Sequence, residues 1–130
     1  MNARYVLIVE DDPTLAEAVG SLLRDEGYAF EMASSGGDAL AKLQRGDLPC
    51  LILLDLLMPE VDGFTFLRLQ RADIRLAQVP VCVMSALVAR DGPAPGDADC
   101  VLPKPIDDEL LRQVVRRYCT PEEGPLASGT

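Results

Sequence analysis

The 130-residue sequence contains no histidine. Without imidazole the chain cannot supply a Ser-His-Asp or Cys-His catalytic pair, a histidine-rich metal site or a phosphohistidine of its own. Carboxylate, hydroxyl, ammonium and thiol groups remain for chemistry. Basic residues are scarce as well: 12 Lys and Arg against 21 Asp and Glu give a net charge of −9, and no basic run exceeds Arg116-Arg117. Nucleic-acid affinity comes mostly from Lys and Arg neutralising phosphates, so direct nucleic-acid binding is not expected. Long apolar runs are missing. The stretch Val79 to Ala89 is interrupted by Pro80 and Ser85 and falls well short of the roughly 20 residues a membrane-spanning helix needs. At the N-terminus only Tyr5 to Val9 precedes three acids, which does not fit a signal peptide. Neither Gly-x-Gly-x-x-Gly nor Gly-Lys-Ser/Thr occurs, and no Asp-x-Asp-x-Thr follows the first apolar run. Nucleotide binding and Asp-nucleophile phosphatase chemistry are therefore disfavoured. No Cys-x-x-Cys pair exists either. Cys50, Cys82, Cys100 and Cys119 read as small buried thiols of a protein in a reducing cytoplasm, with a disulfide or thiol sensor as the alternative.

What is present is a core. Apolar residues make up 48% of the chain, enough for one ordinary domain and too many for a disordered acidic tail. Short apolar segments at Tyr5–Val9, Tyr28–Ala33, Leu51–Leu54, Val81–Met84 and Cys100–Leu102 read as strands, most of them buried on both faces. Between them lie helical patterns. Leu15, Val19, Leu22 and Leu23 share a face, with Pro13 suited to the first turn and Gly27 to the end. Ser35 followed by Asp38 resembles the N-cap of a second helix that carries Leu40 and Leu43 and stops near Gly46. A third helix is expected from Gly63. The last carries Leu110, Leu111, Val114, Val115 and Tyr118, with acids in its first turn and Arg116 and Arg117 in its last. Only the fourth crossover breaks the rhythm. Ala89 to Asp99 holds two prolines and two glycines, which predicts a shortened or irregular connection. Alternating strands and helices imply an α/β domain around a parallel sheet, residues 1–119, followed by a tail over 120–130.

In such a sheet, ligands collect beyond the carboxyl ends of the strands. The first segment ends in Glu10-Asp11-Asp12, the third in Asp55, the fourth in Ser85 and the fifth in Lys104. A lone Asp after a strand is more often a helix cap or solvated loop charge. Acids, a hydroxyl and a lysine brought to one edge form a chemical site.

Val9-Glu10-Asp11-Asp12, Leu54-Asp55-Leu56-Leu57-Met58-Pro59-Glu60-Val61-Asp62-Gly63, Ser85-Ala86 and Lys104-Pro105 together resemble the receiver domain of two-component response regulators. The resemblance spans roughly residues 4–119. It implies a doubly wound five-stranded sheet in the flavodoxin-like order 2-1-3-4-5. It also implies that Asp55 accepts a phosphoryl group from a sensor histidine kinase or histidine phosphotransfer protein. Asp11, Asp12, Asp55 and the carbonyl of Leu57 would hold Mg²⁺; Glu10, beside the acid pair, is not counted among the ligands. Three carboxylates within about 4 Å repel by about 4 kcal/mol per pair at an effective dielectric near 20, so a cation is needed among them. Lys104 and Ser85 would contact the phosphoryl oxygens, Lys104-Pro105 would be cis, and Pro59 and Gly63 would shape loops. Where the family usually carries a switching Tyr or Phe, this chain has Val101. Apolar Leu57 and Leu87 flank the site, which predicts slow autodephosphorylation. The output would be an unidentified protein target reached from the cytoplasm, by a receiver that stands alone or belongs to a longer chain. A phosphorylation-independent interaction module and a relay or phosphate sink are the alternatives.

Overall fold

The computed structural model describes residues 5–58, 63–86 and 98–119. Pro59, Leu87, most of the irregular fourth crossover and the tail over 120–130 lie outside them. The element order is β1 (Tyr5–Val9), α1 (Pro13–Asp25), β2 (Ala29–Ala33), α2 (Gly36–Arg45), β3 (Leu51–Asp55), α3 (Gly63–Ala72), a short 3-10 helix (Leu76–Gln78), β4 (Val81–Ser85), β5 (Cys100–Pro103) and α4 (Asp108–Tyr118). All five strands are parallel, in the order β2-β1-β3-β4-β5. The inner strands β3 and β4 are buried at every position, while β2 and β5, at the edges, are partly exposed. Edge placement explains how Pro103 is tolerated in β5, since no ladder donor is needed on the outer side.

Strand alternation divides the core between two faces. Val6, Ile8, Leu53, Cys82 and Met84 pack with Val19 and Leu23 of α1 and Leu111 and Val115 of α4. Leu7, Val9, Ile52, Leu54 and Val83 pack with Leu43 of α2, Phe66 and Leu67 of α3, and Leu76. Because both faces are covered, the strands read as continuous apolar runs. Local chemistry sets the helix ends. Asp12 caps α1 by accepting from Thr14 and Leu15 N–H groups, with Pro13 following. Gly27, at φ 88°, turns the chain out of that helix, a conformation only glycine takes cheaply. Ser35 caps α2 and Asp107 caps α4. Among the described residues no helix is long and apolar enough to cross a membrane.

The thiol expectation needs correction. Cys50, just before β3, is joined by a disulfide to Cys119, just after α4, with Cα atoms 5.5 Å apart. Both residues are buried, and only Cys82 and Cys100 are free. The bridge arises because α4 runs back over the sheet, antiparallel to the strands, and ends where β3 begins.

Candidate functional site

Four strands deliver their terminal groups to one edge. Glu10 directly follows β1, Asp55 closes β3, Ser85 closes β4, and Lys104 directly follows β5. Glu10 and Asp55 are each only 3% exposed, and Ser85 is buried. The Lys104 Nζ lies 3.0 Å from Glu10 Oε1 and 3.4 Å from Asp55 Oδ1. One ammonium therefore compensates two buried carboxylates. The Leu57 N–H donates to Asp55 Oδ1 at 3.1 Å and the Asp12 N–H to Glu10 Oε2 at 3.2 Å. Lys104 is itself placed by its N–H, which donates to the Ser85 carbonyl at 3.0 Å. The Lys104-Pro105 peptide is cis.

Burial pushes the Glu10 carboxyl up to about 7, against the opposing hydrogen bonds from Lys104 and the Asp12 N–H, and the Asp55 charge pushes the same way as burial. Lys104 is also raised, but for a different reason. Burial alone would lower its value, but the hydrogen bond and charge of Glu10, with the charge of Asp55, hold it above the ordinary lysine range.

The carboxylate oxygens of Glu10, Asp11 and Asp55 lie within 4.8 Å of one another. Asp12 is not among them. Its side chain turns away to cap α1, accepting from Thr14 N–H at 3.0 Å, so of the expected ligands Asp11 and Asp55 are brought together, with Glu10 in place of Asp12 beside them. The sequence carries the signal: an Asp immediately before a proline that opens a helix is in the N-cap position. Glu10, Asp11 and Asp55 form a hard oxygen donor set, which suits Mg²⁺. Leu57, the expected carbonyl ligand, sits two residues beyond Asp55 with its side chain 56% exposed.

Gly63 also needs a different reason from the one expected. A Cβ there would lie 2.5 Å from both the Asp55 carbonyl oxygen and Leu56 Cα. Its N–H donates to the Leu56 carbonyl at 3.0 Å. The first turn of α3 is thus pressed against the backbone that carries Asp55, and glycine is required for close approach. Val101 is partly buried on β5, in register with Val83.

A family model described as "Response regulator receiver domain" matches residues 6–116. The chain is 31% identical over 129 residues to the response regulator Rre1 of Synechocystis sp., covering 96% of this chain and 55% of that protein. It is 40% identical over 116 residues to the DNA-binding dual master transcriptional regulator RpaA of the same organism, covering 84% and 46%. It thus spans about half the length of these curated relatives. Among solved structures, the receiver domain of sensor histidine kinase PA1611 from Pseudomonas aeruginosa superposes with a TM-score of 0.78 at 26% identity, covering 90% of this chain and 98% of that one; that structure has a magnesium ion coordinated in its active-site cleft.

Proposed function

The chain belongs to the response regulator receiver family, and from that premise we propose that it accepts a phosphoryl group on Asp55 and changes conformation to regulate a downstream protein. The donor is a phosphohistidine on a sensor histidine kinase or a histidine phosphotransfer protein, since this chain has no histidine. The observation that carries the reading is the convergence of Asp55, Glu10 and the Lys104 ammonium at one sheet edge.

Each residue has a part in the transfer. An Asp55 carboxylate oxygen attacks phosphorus while the bond to the donor imidazole nitrogen breaks, giving an acyl phosphate on Asp55 and a free histidine on the partner. Lys104 supplies positive charge to the phosphoryl oxygens, and the Ser85 hydroxyl offers them a hydrogen bond. Glu10, Asp11, Asp55 and the Leu57 carbonyl would hold Mg²⁺, which when bound neutralises charge that the carboxylates and the phosphoryl group would otherwise oppose. Positioning and charge neutralisation are most of what phosphoryl transfer asks of a protein. Leu57 offers no polar group to orient a hydrolytic water, which supports slow loss of the phosphoryl group. The receiver is taken as residues 1–119 with a tail over 120–130, acting in the cytoplasm. Direct DNA contact, as in the RpaA relative, is not part of the proposal for this −9 chain.

The test uses a small-molecule acyl phosphate donor with Mg²⁺ and intact-mass analysis. Addition of one phosphoryl group to the wild type and none to Asp55→Asn is expected. No addition to either protein, or equal addition to both, would sink the reading.

A further inference from the structure

The edge of the sheet opposite the acidic cluster gathers the cysteines. Cys50 and Cys119 are already bridged. The other two, Cys82 and Cys100, are register partners on the adjacent parallel strands β4 and β5. Neighbouring strands lie about 4.8 Å apart, inside the Cα separation of roughly 4.4–6.8 Å that a disulfide spans. Both side chains pack against the same core face. Their exposures differ, since Cys82 is 0% exposed while Cys100, on the edge strand, is partly open.

The two thiols are near enough to influence each other's ionisation, and Tyr118, Arg117 and Asp99 lie near Cys100. Their mutual influence favours the Cys100 thiolate and holds Cys82 protonated; burial and the Asp99 charge oppose ionisation of Cys100, while Tyr118 and Arg117 favour it. The accessible sulfur is the more nucleophilic one, and the hidden sulfur sits beside it as a proton-bearing partner.

We propose that Cys100 is a hydroperoxide-reactive thiol and Cys82 its resolving partner, so that oxidation closes a second disulfide across β4 and β5. The Cys100 thiolate attacks the distal peroxide oxygen. The O–O bond breaks, the leaving oxygen takes up a proton as alcohol or water, and Cys100 becomes a sulfenic acid. The Cys82 sulfur then attacks the Cys100 sulfur, the S–O bond breaks, and the departing hydroxide combines with the Cys82 proton as water. Two thiols are oxidised by two electrons and one peroxide is reduced. The bridge would tie together the strands that carry Ser85 and Lys104. The oxidation itself does not depend on the phosphoacceptor reading.

The full chain is treated with hydrogen peroxide near pH 7, remaining thiols are alkylated, and peptides are mapped. A Cys82–Cys100 linked peptide is expected, with the Cys50–Cys119 link unchanged. In Cys82→Ser, Cys100 should stop at a sulfenic acid that dimedone traps. In Cys100→Ser, Cys82 should oxidise at least about tenfold more slowly than the wild-type pair. Circular dichroism of both variants checks that they fold; a folded Cys82→Ser protein with no dimedone adduct at Cys100 overturns the proposal. So does oxidation of Cys100 without linkage to Cys82, or linkage of Cys100 to Cys50 or Cys119.

Discussion

Two adjacent aspartates on one loop have different tasks. Asp11 lies with Glu10 and Asp55, whereas Asp12 satisfies the first N–H groups of α1. Asp12→Ala should therefore cost about 0.5–2 kcal/mol of stability, as loss of an N-cap does, and leave Mg²⁺ affinity nearly intact. Asp11→Ala should weaken Mg²⁺ binding with little effect on stability. Calorimetric titration with MgCl₂ and urea unfolding of both variants check this; equal losses of metal affinity would contradict it. Glu10 adds a pH dependence. Its folded-state value of about 7 lies above the ordinary 4.5, so between these values the folded chain binds more protons than the unfolded one. The stability it contributes is complete below about pH 4.5 and is lost as pH rises through 7. Measured against Glu10→Gln, wild-type stability should fall across that window, and Mg²⁺ should restore more of it at pH 7 than at pH 5. A flat difference would contradict the assignment. At Gly63, a methyl group would meet the Asp55 carbonyl oxygen and Leu56 Cα at 2.5 Å. Gly63→Ala should destabilise by about 1–3 kcal/mol through overpacking, read by urea unfolding, and unchanged stability would show that the loop yields. The sequence made Asp55 and Lys104 legible because each terminates an apolar run. It left Glu10 in doubt because adjacency along the chain does not show which way a side chain turns.

At the scale of elements, helices and strands were legible for different reasons. The α1 and α4 patterns carry caps and a 3.6-residue stripe, α4 adds dipole-matched charges at both ends, and the helix ends follow from Asp12, Gly27 and Asp107. The inner strands were legible as apolar runs, although β3 and β4 each extend one residue further than those runs, to the polar Asp55 and Ser85. Those terminal residues are buried because the site is built on the strand ends themselves. The Cys50–Cys119 bridge was not legible. Its partners are 69 residues apart, and their meeting depends on the path of α4 across the sheet. Closing a loop of that length should contribute about 2–4 kcal/mol. Cys119→Ser should therefore unfold at lower urea than the oxidised wild type, and dithiothreitol should bring the wild type down to the variant's midpoint. A wild-type midpoint indifferent to reductant would show that the bridge does not fasten α4. In a reducing cytoplasm the open form would dominate, so the redox state of the chain as isolated bears on its location as well.

For the whole molecule, the strand order assembles the candidate site. Placing β1 and β3 side by side at the centre, with β4 and β5 beyond, brings acids from two strands, a hydroxyl from a third and a lysine from the fourth to a single edge. Residues remote in sequence, such as Glu10 and Lys104, meet at 3.0 Å only because of that order. A switch built on this frame needs differential stabilisation of about 5.5 kcal/mol to move a population from 1:99 to 99:1. With Val101 where the family usually has an aromatic ring, the coupling must run through other contacts, and β4 and β5 are the strands that bear Ser85 and Lys104. All of this depends on Asp55 becoming an acyl phosphate. The most direct test is to treat the chain with an acyl phosphate donor and Mg²⁺, reduce it with borohydride, and sequence the peptide that spans β3 by mass spectrometry. The account predicts conversion of Asp55 to homoserine, dependent on both donor and Mg²⁺; an unmodified Asp55, or reduction at another carboxylate instead, would contradict it.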